Sequence, residues 1–209
     1  MLARDQVLSK MIIILTKTSM RPVLARSAGV SLALAIGAAV VPAHAAQPVV
    51  VAVDGTLCDL TKTLAAGAAS VTCLIPPGGD PHFYRLKPSD RSQIAKSDLV
   101  LHIGFGLTPS AKKLKSPGTV VAVGEVALPS YGGSDPHVWH DPANSAAMVR
   151  VISSSLAPVL PSSDRAALQQ RTARAVAVLQ ALQSWEAQQF NALPSAQRVL
   201  VTDHRTYSH

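Results

Sequence analysis

"PVVVAVDGTLCDLTKTLAAGAASVTCLIPPGG", residues 48–79, decides the fold class. It opens with an apolar, β-branched run closed by Asp54-Gly55, the pattern of a buried strand. "TLCDLTKTLAAGA" follows with helical spacing, Thr56 standing as a cap and Gly67 near the end. "SVTCLIPPGG" is a second apolar strand, stopped by Pro76-Pro77. A strand with one wet face alternates apolar and polar residues. A continuous apolar run is covered on both faces, as in a parallel sheet with helices on either side. The same alternation continues downstream. "KPSDRSQIAKSD" starts a helix at Ser89 or Asp90, "LVLHIGFG" is a third strand and "TVVAVGE" a fourth. The expected class is α/β, a parallel-sheet N-terminal lobe with helices on both faces.

Two helices come next. Asp141-Pro142 puts a capping carboxylate before a proline at the first helical position, and that helix runs to about Leu156 before Pro158 and Pro161. A longer helix spans roughly Ser163–Leu193, with Leu168, Ala175, Leu179, Leu182, Trp185, Phe190 and Leu193 forming a loose apolar stripe. At about 1.5 Å per residue it is a rod on the order of 45 Å, the length of a strut joining two lobes. After Pro194, "RVLVTDH" reads as one more buried strand, and a lone strand cannot make a lobe. The expectation is a long backbone helix and only the start of a second α/β lobe, C-terminally truncated. The chain then divides into a secretory signal peptide (1–45), an N-terminal metal-binding lobe (46–157), a connecting helix (158–194) and the first strand of the truncated lobe (195–209).

The formal charge of +7 points toward nucleic acid, but its distribution does not. Residues 1–45 hold Arg4, Lys10, Lys17, Arg21 and Arg26 against Asp5 alone, and the one later cluster is Lys112, Lys113 and Lys115, read as a solvated loop. No nucleic-acid partner is expected. Arg21 and Arg26 precede an uncharged apolar run, Ala28–Val41, and then the small-x-small site Ala43-His44-Ala45. These are the parts of a cleavable signal, with an apolar run too short to span a bilayer comfortably. "MIIIL" at 11–15 reads as an extension upstream of a start at Met20. No cysteine follows the apolar run, so no lipid anchor is expected there, and the destination is the periplasm. In that oxidising compartment Cys58 and Cys73 are candidates for a disulfide, two buried thiols being the alternative.

The chemistry lies in a repeated phrase. "GGDPHFYRLKPSD" (78–90) and "GSDPHVWHDPAN" (133–144) both read Gly-x-Asp-Pro-His-x-aromatic. Proline fixes φ and aspartate turns the backbone, so each copy is a stiff loop presenting an imidazole. His82 and His137 follow the second and fourth strands, and His204 follows the expected strand at 198–202. In open α/β sheets, ligands bind beyond the carboxyl ends of the strands. Three neutral imidazoles converging there suit Zn²⁺. His102, inside "LVLHIG", reads as a core histidine. His140 could chelate with His137 if the two were helical, but Asp141 looks like the cap and places both before the helix.

"LIPPGGDPHFYRLKPSD", "KSDLVLHIGFGL", "DPHVWHDPAN" and "VLVTDH" together resemble the metal-binding lipoprotein and periplasmic protein family. These are the cluster A-I substrate-binding proteins of ABC importers for zinc and manganese. The resemblance covers about residues 49–209. It implies that His82 and His137 each supply one ligand and that His204 supplies the third, from the start of the second lobe. It is closer to the zinc branch, since manganese binders tend to carry glutamate at the third position. It further implies an aspartate as fourth ligand far into the second lobe, beyond this chain, and a long backbone helix matching Ser163–Leu193. The family's His-rich acidic loop is lacking, because "VALPSYGGSDPH" is short, and "RTYSH" departs from the usual continuation. The implied function is capture of Zn²⁺ (Mn²⁺ second) by a monomer and delivery to an inner-membrane ABC permease with its ATPase, without catalysis. Two other readings stand beside it. One is a three-histidine zinc hydrolase with Asp203 or Asp141 as base, and the other a non-functional truncated remnant.

Overall fold

The computed structural model describes residues 46–208; the signal reading of 1–45 lies outside them. Four strands form one sheet: β1 (Val49–Ala52), β2 (Ser70–Cys73), β3 (Leu99–His102) and β4 (Thr119–Ala122). The order is β2-β1-β3-β4 and every pairing is parallel. Val50 lies opposite both Val71 and Leu99, and His102 opposite Ala122. The chain steps outward from β1 to β2, crosses back past β1 to β3, and continues outward to β4. The order therefore reverses between β1 and β3, the point beyond whose carboxyl ends open α/β sheets place their ligands.

Alternation along the strands divides the core. Val50 and Ala52 of β1, with Leu99 and Leu101 of β3, face helices α1 (Gly55–Ala65), α4 (Pro142–Leu156) and α5 (Arg165–Ala192). There they meet Leu57, Leu64, Met148, Ile152 and Leu168. Val51 and Val100 point to the other face, where Ile94 of α2 (Pro88–Ile94) and Ala111 of a 3-10 turn cover them. Val50, Val51, Ala52 and Val53 are all fully buried. This is why β1 carries no polar residue on either side.

The caps refine the expectations. Asp54, not Thr56, caps α1: its Oδ1 accepts the Leu57 N–H at 3.0 Å. The carboxylate stands at the end of β1, within reach of that donor, whereas Thr56 is already inside the first turn. Left-handed Ala66 (φ 47°) and Gly67 (φ 86°) end α1. α2 starts at Pro88, a residue or two earlier than expected, because Asp90 Oδ2 accepts the Lys87 N–H at 2.7 Å and draws the turn in. Asp141 caps α4 as read, accepting from the Ala143 N–H at 2.7 Å ahead of Pro142. A short helix not anticipated, α3 (Val123–Ala127), follows β4 directly.

α5 is the expected rod, about 42 Å long. Its first half packs on α4 and α1. There Thr172 Oγ1 lies 2.7 Å from Ser153 Oγ, and Arg171 Nε donates to the Leu64 carbonyl at 2.6 Å. Its second half carries exposed Trp185 and Phe190. The strand expected at 198–202 is not formed. Val199, Leu200 and Val201 are 76%, 68% and 88% exposed, and the backbone has no ladder. An extended apolar segment becomes a strand only beside another edge, and among the described residues none lies alongside it.

Cys58 of α1 and Cys73 at the end of β2 are joined, their Cα atoms 5.6 Å apart. The bridge ties an edge strand to the helix covering it.

Candidate metal centre

Both Asp-Pro-His turns close in the same way. Asp80 Oδ1 accepts the His82 backbone N–H at 2.9 Å, and Asp135 Oδ1 accepts that of His137 at 3.0 Å. A carboxylate reaching across a proline to the second residue on is a stiff turn. The His82 loop is tethered further by Tyr84, whose hydroxyl serves the Leu74 carbonyl (2.9 Å) and Asp90 Oδ2 (2.8 Å). Partial burial, then the Asp90 carboxylate, push the Tyr84 phenol up to about 12, so it remains a donor. The His137 loop is held by the Tyr131 hydroxyl on the Asp135 carbonyl (2.9 Å) and by the Ser145 hydroxyl on the Trp139 carbonyl (2.7 Å).

The structure brings His82, His137 and His204 together. One ring nitrogen from each lies within 4.8 Å of the others. His82 Nε2 is 2.9 Å from His137 Nε2, and His204 Nε2 is 3.3 Å from the same atom. His137 is buried, His82 half-buried and His204 exposed. Tetrahedral Zn–N bonds of about 2.0–2.1 Å set the ligand nitrogens roughly 3.3 Å apart, so the cluster is near the required size.

The outer ring nitrogens determine what the inner ones can do. His137 Nδ1 is 2.7 Å from Asp135 Oδ1, and His204 Nδ1 is 2.7 Å from Asp203 Oδ1. An ionised carboxylate only accepts, so both Nδ1 atoms carry the proton. Burial alone raises the Asp135 carboxyl. The backbone N–H groups of His137 and Ser208, with the His137 ring, outweigh it and hold the group at about 2. The hydrogen bond from His204 lowers exposed Asp203. With Nδ1 protonated, each neutral ring presents a bare lone pair at Nε2. Two such lone pairs face each other at 3.3 Å, with His82 alongside. A single proton can bridge one pair of them; a cation with three open coordination positions engages all three.

Two other described histidines, His102 and His140, are not members of this cluster. His102, at the end of β3, lines a cavity of about 320 Å³ with Glu125, Thr108 and Lys112. Burial lowers its pKa, with Glu125 opposing. It is half-buried rather than enclosed in the core, because β3 ends there. His140 is absent from the three-histidine cluster; its ring lies 4.6 Å from that of Tyr207. Two partners were missed in the sequence: Asp135 as acceptor for a ring nitrogen, and Ser208, whose backbone N–H reaches Asp135 Oδ2 at 2.9 Å. The Asp-x-His spacing carried a signal for the first, but nothing local announced the second.

Residues 50–209 match the family described as zinc-uptake complex component A, periplasmic. The zinc-binding protein TroA of Treponema pallidum is 31% identical over 173 residues, covering 78% of this chain and 56% of the relative. The manganese-binding lipoprotein MntA of Halalkalibacterium halodurans is 32% identical over 159 residues, covering 72% and 52%. Among solved structures, TroA superimposes with a TM-score of 0.72 at 30% identity, over 78% of this chain and 62% of that one. Fe(III)-bound YtgA of Chlamydia trachomatis gives 0.70 at 26% identity, over 77% and 60%. The chain spans about half the length of the curated relatives it matches.

Proposed function

The chain belongs to the periplasmic zinc-uptake component A family, and from that premise we propose that it captures Zn²⁺ on His82, His137 and His204 and delivers it to an ABC-type importer. The observation that carries this reading is the meeting of Nε2 atoms at 2.9 and 3.3 Å, two of them on rings whose Nδ1 protons are committed to carboxylates. That is a preformed site for a Lewis acid. Relatives are named for zinc and manganese and one solved neighbour for Fe(III), so the family spans several metals. Three imidazoles favour zinc, since manganese prefers oxygen ligands. Three nitrogens leave a fourth tetrahedral position for water or a carboxylate.

In this reading residues 1–45 direct export to the periplasm, 46–157 form the metal-binding lobe, 158–194 the connecting helix, and 195–209 bring in the third ligand. A monomer would dock on an inner-membrane permease with its ATPase. Capture rather than catalysis is supported by the nearby carboxylates. Asp141 Oδ1 is engaged in capping α4 and Asp203 Oδ1 in holding the His204 ring, structural roles that account for both carboxylates without a catalytic one. Calorimetric titration with zinc at neutral pH tests the proposal. His82→Ala and His137→Ala should each lose most binding and His204→Ala somewhat less. Unmodified affinity in the first two would refute it.

A further inference from the structure

The two Asp-Pro-His turns differ in what their carboxylates hold. Among the described residues, Asp80 takes the backbone N–H of His82 and leaves the ring to its neighbours. Asp135 takes three donors. Its Oδ1 accepts the backbone N–H of His137 at 3.0 Å and the ring Nδ1–H of the same residue at 2.7 Å. Its Oδ2 accepts the backbone N–H of Ser208 at 2.9 Å. Asp135 is only 1% exposed, so water hardly competes for these bonds.

Ser208 lies four residues past His204, and the stretch between them makes two more contacts with the second turn. Arg205 Nη1 donates to Ser134 Oγ at 2.9 Å, and the Tyr207 ring lies 4.6 Å from His140. The segment carrying His204 is otherwise exposed and outside any helix or strand. Nothing in regular structure holds it, and these contacts decide where the His204 imidazole stands.

We propose that Asp135 is the positioning residue of the metal site, aiming the His137 imidazole with one oxygen and fastening the His204 segment with the other. A carboxylate on Nδ1 fixes the tautomer and the ring plane of a ligating histidine and raises the basicity of its Nε2. Here the same carboxylate also reaches a segment 73 residues away in the chain. Two ligands remote in sequence are thereby presented together, and loss of either oxygen's bond should be felt at the other ligand. The inference rests on the three-histidine reading above.

Three variants separate the two duties. Asp135→Ala removes both. Asp135→Asn keeps an oxygen for the two His137 donors but turns an NH₂ toward the Ser208 N–H, donor against donor. Ser208→Pro deletes the donor at the far end and leaves Asp135 with His137. The measurements are calorimetric titration with Zn²⁺ and the visible spectrum of the Co²⁺-loaded protein, which reports ligand number and geometry directly. Asp135→Ala should weaken zinc binding by about 10–100-fold, the usual effect of losing an outer-shell partner. Asp135→Asn and Ser208→Pro should each weaken it by up to about tenfold. In both backgrounds His204→Ala should cost nothing further, and their cobalt spectra should move toward that of His204→Ala alone. The inference is overturned if Asp135→Ala binds zinc as the unmodified protein does while His137→Ala does not. It is also overturned if His204→Ala keeps its full effect in the Asp135→Asn and Ser208→Pro backgrounds, or if affinity falls while the cobalt spectrum stays unchanged. Should Asp135→Ala not fold, Ser208→Pro decides alone, since Ser208 is exposed. If His137→Ala itself binds zinc normally, it is the three-histidine reading that falls.

Discussion

Asp54 gives a quantitative test of the lobe's electrostatics. It ends the central strand β1, caps α1 through Oδ1, and is 5% exposed, while its Oδ2 has no hydrogen-bond partner. Burial pushes its carboxyl up from 3.8 to about 6, and backbone N–H groups, Leu57 first, keep it from rising further. The folded state therefore keeps the proton to about pH 6, whereas the unfolded chain releases it near 4. Between those values the folded state binds more protons, so stability falls as pH rises through this window and is flat above it. The gap corresponds to about 3 kcal/mol. Asp54→Asn keeps an oxygen for Leu57 and cannot ionise. Its buried NH₂ lacks a partner at a cost of about 1–3 kcal/mol, but that cost does not vary with pH. Urea unfolding followed by circular dichroism, with chelator present to remove metal linkage, compares the two proteins at about pH 4 and pH 7. The stability difference should shift in favour of the Asp54→Asn protein by on the order of 2–3 kcal/mol between these pH values. A difference constant to within about 0.5 kcal/mol would refute a buried, proton-holding Asp54.

Three further outcomes follow from the packing. Mass spectrometry of non-reduced, exported protein should show Cys58 and Cys73 two hydrogens lighter than the dithiol, and replacing both with serine should cost about 3 kcal/mol; two alkylatable thiols would contradict the bridge. His102→Ala should leave zinc titration unchanged while lowering stability by about 1–2 kcal/mol in thermal unfolding, since the ring lies at the end of β3 and is not one of the three clustered histidines. Gly118→Ala should destabilise by about 1–3 kcal/mol in urea, because a Cβ there would lie 2.3 Å from the Asp98 carbonyl oxygen, a backbone atom that cannot turn aside; an unaffected midpoint would mean that the β3–β4 approach is looser than described.

The parallel sheet was legible because its determinants are local. Val49–Val53 and Leu99–Leu101 have no polar position to turn outward, so both faces must be covered, and the intervening helical spacing supplies the cover. Asp141-Pro142 announced α4 for the same reason, since a cap and its donor lie two residues apart. The repeated Asp-Pro-His marked His82 and His137 because proline and aspartate stiffen a turn wherever they occur. What local pattern could not settle is where separate segments meet. "RVLVTDH" has strand composition, but pairing requires a neighbouring edge, and 198–202 has none among the described residues. Thr56 and Asp54 are equally good caps on paper, and the end of β1 selects Asp54. The reversal of strand order between β1 and β3 arises from how crossovers pack, not from any one residue. The ring-orienting bond of Asp135 and its hold on Ser208 likewise required the chain to fold back over 73 positions. Residue type and short spacing determined which groups could ligate a metal; only the tertiary structure decided that three imidazoles share one point, because that depends on distances through space and not along the chain.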